Sequence, residues 1–388
     1  MVSSTMSDAG SIGKKGSISA KLQDFGSALA EILSRTQVAP GRSLRWTIVV
    51  NPKAGGFTIG RRWKKHKAAL AAGLEKARRN SVRPDAAPSP YAAALGGEAV
   101  GKYGLTLTTG PGHAMAIVKG LLETVQQEDA FHLIITAGGD GTSLEALQII
   151  YHAPPKVRAN CAVLRLPLGT GNDGAEAWEL EDALEFLVKP VRIEMSRGLR
   201  LSTATGKTWP GGLPILAFNI LSVGLDAFVT HMTNRMKGKL PGDSYKLWVD
   251  VAALFYDRIY KVGPMQVTGF DESGREGQTF REKFLLCAMG VSGRRCYGSR
   301  QMVLPDERNV CAVKQMPLYR KIVLKNLIVT GGHANNPESI LFNAGRIVLS
   351  GEYPILAQMD GETVDLEKAD FPAVIELTDP VIPVLKIM

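Results

Sequence analysis

IITAGGDGTSLEAL, residues 134–147, decides how the rest of the chain is read. It carries the apolar run FHLII (131–135) through three glycines and a carboxylate, then starts TSLEALQII with apolar residues at helical spacing. A bend explains the glycines. It does not explain Asp140 among them. Backbone N–H groups at a strand-to-helix turn, backed by the helix N-terminus, form an anion site that nucleotide phosphates fit. A carboxylate beside phosphates is repelled unless a divalent cation or a substrate proton lies between them. The loop therefore reads as built for phosphate with Mg²⁺, or for phosphate with an acceptor hydroxyl.

The same unit recurs outward from this point. WTIVV runs into NPKAGG and a helical RRWKKHKAALAAGLEKARR; LTLTT runs into GPGHA and MAIVKGLLETV; CAVLRL runs into PLGTGND and a helical AEAWELEDALEFL. Such alternation specifies an α/β domain with a parallel sheet, whose glycine loops gather at the carboxyl ends of the strands. Residues 80–104, with three prolines, read as an inserted surface loop. Beyond residue 190 short strand-like runs dominate, from LRLST to AVIELT, with one helix near YKLWVDVAALFYDRIY, which indicates a β-rich domain of sandwich type. The expected organisation is an extension over 1–44, an α/β domain over 45–190 and a β-rich domain over 191–388. The last strands, ending in VIPVLKIM, are expected to return beside the first domain.

At 388 residues the chain is long enough for two cores, and 45% hydrophobic residues can fill them. The 46 Lys and Arg against 37 Asp and Glu leave +9, which suits nucleic acid, an anionic membrane or a phosphate-rich ligand equally. Four cysteines without a CxxC pair read as reduced thiols. The first 17 residues hold no apolar run of the secretory type, and LPILAFNILSVGLDAFV is too polar to span a bilayer. A cytoplasmic protein with only peripheral membrane contact is the expectation. Residues 1–18 read as irregular chain, followed by an amphipathic helix behind a Ser19 cap, with Leu22, Phe25, Leu29, Ile32 and Leu33 on one face. Arg61, Arg62, Lys64, Lys65 and Lys67 fall opposite Trp63, Leu70 and Leu74, either as the solvated face of a crossover helix or as a membrane patch. Residues 231–246 read as a loop that could also meet lipid.

NPKAGG, GGDGTSLEAL and LPLGTGND, in that order and ahead of a strand-rich half, resemble the catalytic domain of the diacylglycerol kinases and their relatives, the sphingoid-base and bacterial lipid kinases. The resemblance spans Trp46 to the C-terminus. It implies a nucleotide-binding α/β domain like that of phosphofructokinases and NAD kinases, a C-terminal β-sandwich that holds lipid, and a site in the cleft between them. By position it implies ATP contacts at Asn51, Pro52, Lys53, Ala54 and Gly55; at Thr108 or Thr109; at Gly138, Gly139, Asp140, Gly141 and Thr142; and at Gly169, Thr170, Gly171, Asn172 and Asp173. Glu145 matches the family's acidic residue after the glycine loop. AQMDGETV matches its DGE element, so Asp360, Gly361 and Glu362 are implied at the active site. Glu362 is then the general base, with Asp140 and Asp360 as further catalytic carboxylates.

The chain departs from the family pattern at Leu144, where Asn is common, and at GAEAW after Asp173. A family metal-binding stretch is reduced to LPDERNVCAVK, in which Asp306 remains as a metal ligand. His333 in GGHANNPE matches a Gly-x-His element or serves as a structural hydrogen-bonder. The function expected is ATP- and Mg²⁺-dependent phosphorylation of a diacylglycerol-like or sphingoid-like lipid. Phosphorylation of a soluble nucleotide, as by NAD kinases, and a non-catalytic nucleotide- or lipid-binding regulator are the alternatives. The partners expected are the lipid, a membrane surface and a second copy of the chain, but not nucleic acid.

Overall fold

The structure is a computed structural model that describes residues 8–80, 104–236, 255–291, 295–297 and 301–388. The chain forms two compact units, Met1–Ser196 with Val381–Met388, and Arg197–Pro380. The first unit runs α1 (Asp8–Ser34), β1 (Leu44–Val50), α2 (Gly55–Thr58), α3 (Gly60–Arg79), β2 (Gly104–Leu107), α4 (His113–Val125), β3 (Phe131–Gly138), α5 (Asp140–Tyr151), α6 (Pro155–Arg158), β4 (Cys161–Pro167), α7 (Leu180–Val188) and β5 (Val191–Ser196). The second contributes β6 (Leu199–Ser202), β7 (Ile215–Ala217), β8 (Ile220–Gly224), α8 (Leu225–Met236), β9 (Pro264–Phe270), β10 (Glu276–Gly290), β11 (Arg295–Tyr297), β12 (Gln301–Leu304), β13 (Val310–Lys314), a helix Leu318–Thr330, β14 (Ser339–Phe342), β15 (Arg346–Gly351), β16 (Ile355–Met359), β17 (Glu362–Leu366) and β18 (Ala373–Leu377). The chain then returns to the first unit as β19 (Ile382–Ile387).

The first sheet has the order β2-β1-β3-β4-β19-β5. Every residue of β3 and β4 is buried, the mark of parallel strands covered on both faces. Each such apolar side chain contributes about 1.5–3 kcal/mol on burial. The strands β2, β1, β3 and β4 pair in parallel. β19 joins β4 in parallel and β5 antiparallel, so the boundary expected at residue 190 lies at Ser196 instead.

The N-terminal helix begins at Asp8 rather than behind Ser19. No proline interrupts 8–18, so the helix propagates backward from its docked turns. Phe25, Leu29, Ile32 and Leu33 are buried in the first unit, with Phe25 edge-on to Phe57 at 5.3 Å. On α3, Lys65 pairs with Glu179 at 2.7 Å and Lys67 with Asp24 at 2.9 Å, so part of the basic face is engaged within its own unit. The helix expected after LGTGND starts only at Leu180. Residues 174–179 stay irregular because Glu176 turns inward, accepting from Arg165 N at 2.7 Å and Nε at 2.9 Å.

The second unit is an antiparallel sheet domain of order β17-β16-β8-β10-β9-β15-β18-β6-β7, with β13 on β10 and β14 on β13. The long β10 pairs β9 through its exposed first half and β8 and β13 through its buried second half. Ile220, Phe228, Tyr256, Leu285 and Leu324 share one core there. Cys161, Cys287 and Cys311 are buried free thiols, and burial pushes the first two up to about 12. Among the described residues no helix is long and apolar enough to cross a membrane. The inserted loop expected over 80–104 falls outside the described residues from 81 to 103. So does 237–246 of the expected loop 231–246, whose first residues end α8. Of the helix expected near 245–260, only the turn Tyr256–Ile259 is described.

Candidate active site

Parallel pairing sets Gly138 of β3 opposite Pro167 of β4, so the loops GGDG and LGTGND leave the sheet side by side. They touch. A Cβ on Gly169 would lie 2.4 Å from Gly139 Cα, and one on Gly171 would lie 2.6 Å from Asp140 Oδ2. A Cβ on Gly138 would meet Thr142 Oγ1 at 2.6 Å. Gly169 and Gly171 are needed for loop to lie on loop, and Gly138 for the turn to close on Thr142, reasons distinct from the approach of phosphate to main chain that the sequence suggested. Gly169→Ala is accordingly expected to destabilise the first unit by about 1–3 kcal/mol, because two backbones cannot yield as a flexible side chain would. A thermal melt should show a Tm lower by roughly 2–12 °C. A wild-type Tm would mean that the loops separate without loss.

Asp140 opens α5, with Gly139 as its N-cap. Its carboxylate ties the loops: Oδ2 accepts from Asn172 N at 2.9 Å, and Oδ1 from Gly174 N at 3.1 Å. Asn172 holds the left-handed conformation, φ 66°, which Asn adopts more readily than most residues. Its Oδ1 accepts from Gly169 N at 2.6 Å and its Nδ2 donates to Gly169 O at 3.3 Å, closing the turn. Burial pushes the Asp140 carboxyl above its ordinary range, against the pull of the Gly174 and Asn172 amides and the Arg165 charge. Asp173 Oδ2 lies 3.5 Å from the same Gly171 Cβ position, so two carboxylates meet over that glycine.

NPKAGG joins them from β1. Asn51 N donates to Ala137 O at 3.0 Å, and its Oδ1 accepts from Lys53 N at 3.0 Å, folding the turn that holds Pro52. Asn51 Nδ2 stands 3.5 Å from Thr142 Oγ1, the outer limit of a hydrogen bond. Ala54 leads into α2, Gly55 opens it, and Gly56 N donates to Leu168 O at 2.8 Å. Arg62 Nη1 donates to Gly169 O at 3.1 Å. Three of the four glycine-bearing loops are thus fastened together. The fourth is held by Glu145, whose carboxylate accepts from Gly112 N at 2.7 Å and Ala114 N at 3.1 Å, where negative charge suits the N-terminus of α4. Thr108 is buried and bonded to Val50 O, while Thr109 N meets His113 Nδ1 at 3.0 Å. Lys53, Thr109 and Thr170 are exposed at this end of the sheet, and Gly141 is partly so. Leu144, where the family pattern has Asn, is buried on α5.

Arg62, His113 and the Arg165–Glu176 pair escaped sequence reasoning. Arg62 carried no signal that sets it apart from its basic neighbour Arg61. The buried pair carried none.

In the second unit Asp360 and Gly361 form the two-residue turn between β16 and β17, with Met359 opposite Glu362. Their φ values, 46° and 92°, are those of a type I′ hairpin, for which Asp-Gly is a favoured sequence. Asp360 Oδ1 accepts from Asn219 N at 3.0 Å and Ile220 N at 3.1 Å, and Oδ2 accepts from Phe218 N. This carboxylate anchors the hairpin. Gly361 is held by Gln358 Oε1 at 3.2 Å and Asn234 Nδ2 at 2.8 Å, leaving Glu362 half-buried at the head of β17.

His333 is fully buried with Nε2 3.0 Å from Val303 O, and burial lowers its pKa. The structural reading fits it. Asp306 is gripped by Arg308, Nε at 3.0 Å from Oδ1, which holds its carboxyl below the usual range. A guanidinium fills the place a cation would take, so Asp306 does not fit a metal ligand. Among the described residues no three His, Cys, Asp or Glu side chains gather as a metal cluster.

Residues 45–203, which carry all three glycine motifs, match the family described as the diacylglycerol kinase catalytic domain. A solved structure described as a candidate diacylglycerol kinase from Bacillus anthracis str. Sterne is 19% identical, with a TM-score of 0.51, over 88% of this chain and 96% of that one. Another so described, from the same organism, is 18% identical with a TM-score of 0.52 at the same coverage. At these identities the likeness establishes the fold. Comparison with curated proteins gives no match. Over residues 45–203, the chain carries a domain of the diacylglycerol kinase catalytic-domain family.

Proposed function

We propose that the protein is an ATP-dependent lipid kinase that moves the γ-phosphoryl group to a hydroxyl of a diacylglycerol-like or sphingoid-like lipid. The observation that supports this most is the fastening of NPKAGG, GGDGT and LGTGND around the N-terminus of α5, in a domain of that family. Phosphoryl transfer passes through a loose transition state, so catalysis is mostly positioning and charge neutralisation. The loops supply the first through backbone N–H groups and the helix terminus.

Mg²⁺ is held by one or two carboxylates together with substrate phosphates. Asp140 and Asp173, whose carboxylates both approach one face of Gly171, are a donor set of that kind. When bound, the ion supplies charge neutralisation of the phosphates. Glu362 serves as the base that takes the hydroxyl proton, held in place by the Asp360 turn. The protein acts as a peripheral enzyme at a lipid surface.

The test is incubation of the purified chain with γ-labelled ATP, Mg²⁺, a total lipid extract and, separately, NAD. Label in a lipid phosphomonoester is the expected result. Label in NADP, or none in any acceptor, would contradict the proposal.

A further inference from the structure

The helix Leu318–Thr330 turns an apolar face outward. Lys321, Leu324 and Ile328 are buried, within about 60° of arc at 3.6 residues per turn. On the other side Tyr319 is 65% exposed, Val323 54%, Val329 51%, Ile322 49% and Leu318 41%. With Asn326 and Thr330 these residues fill an arc of about 140° that contains no charged residue. Arg320 stands at one border of the arc, where it pairs with Glu338, and Lys325 at the other. A surface helix facing water shows charges at the centre of its outer face. Here the centre is apolar, with Lys325 at one edge and the Arg320–Glu338 ion pair at the other, the arrangement of a helix that lies in a membrane–water interface.

We propose that this face docks the protein on an anionic lipid surface. Charge favours that partner over a second copy of the chain. The protein carries +9, and two copies joined face to face about a two-fold axis would bring like net charges together, with Lys325 at the edge of each face. Anionic headgroups meet Lys325 and the net positive charge favourably, while the apolar side chains enter the acyl boundary. The proposal rests on the lipid-kinase reading, since an acceptor confined to a bilayer requires the enzyme to come to it. It also moves the membrane contact away from the basic face of α3.

The test compares the full chain with Ile322→Glu/Val323→Glu and with Lys325→Glu. Each is sedimented with vesicles of phosphatidylcholine and phosphatidylglycerol in equal parts, and with phosphatidylcholine alone. In parallel, labelled phosphate transfer is measured to a short-chain diacylglycerol in free solution, which needs no docking. The double variant should bind anionic vesicles at least about tenfold more weakly, with unchanged transfer to the soluble acceptor. Lys325→Glu should weaken binding to anionic vesicles chiefly at low salt. Equal vesicle binding by wild type and double variant would overturn the proposal. So would conversion of a dimeric wild type into a monomer by the double substitution, which would make the face a self-association surface. A vesicle difference without transfer to any lipid by either protein would leave the docking face standing and remove the kinase reading.

Discussion

Asp140→Asn is expected to lower kcat/KM for ATP by about 10²-fold or more while the chain stays folded. The carboxylate accepts Asn172 N with one oxygen and Gly174 N with the other. The amide can satisfy only one of them. Its Nδ2 must then face the remaining N–H, donor against donor, where little water can intervene. Losing a hydrogen bond to a charged group removes about 1.5–3 kcal/mol, and the orphaned N–H adds about 1–3 kcal/mol. At 1.36 kcal/mol per tenfold, the lower ends of both ranges together approach 10²-fold. Calorimetric titration with ATP separates two roles. A fall in affinity marks Asp140 as the tie between loops; a fall in kcat at unchanged affinity marks it as a group acting on the phosphoryl transfer itself. A folded variant with wild-type affinity and turnover would exclude both.

Glu362→Gln is expected to keep ATP affinity and lose transfer by about 10²–10⁴-fold, the range for removing a general base. The substitution preserves shape and leaves the Asp360–Gly361 turn untouched, so β16 and β17 retain their pairing. Asp360→Asn differs in kind, because Asp360 accepts three backbone N–H groups and the amide oxygen cannot serve all of them in the same geometry. That variant should lose stability, whereas Glu362→Gln should melt as wild type. Single-turnover transfer on both proteins, with their thermal melts, checks the distinction. Near wild-type transfer by Glu362→Gln, or collapse of its ATP affinity, would remove Glu362 as the base.

Local patterns announced much of this fold. The buried runs of β3 and β4 and the glycine turns behind them follow from apolar composition and from amides that need an anion or a partner. The Asp-Gly hairpin was also legible, since I′ turns demand positive φ at both central residues. The sequence was nonetheless read there only for its resemblance to DGE. Other features depend on distance in space. A return of VIPVLKIM beside the first domain was expected, but nothing near Ile382 announces that its partners are Val163 and β5. The need for glycine at 169 arises from Gly139, thirty residues away, and the role of Glu145 from the amides of another loop. Glu176 sits in a run with helical composition, yet its carboxylate is taken by Arg165, which delays α7 to Leu180.

The most direct test of the proposed function is phosphorus NMR of the purified wild-type chain with ATP, Mg²⁺ and a defined diacylglycerol dispersed in detergent. ADP and a lipid phosphomonoester resonance should grow in equal amounts, and neither should appear with Glu362→Gln. ADP accompanied only by inorganic phosphate, or unchanged ATP across diacylglycerol and sphingoid acceptors alike, would contradict the assignment of this chain as a lipid kinase.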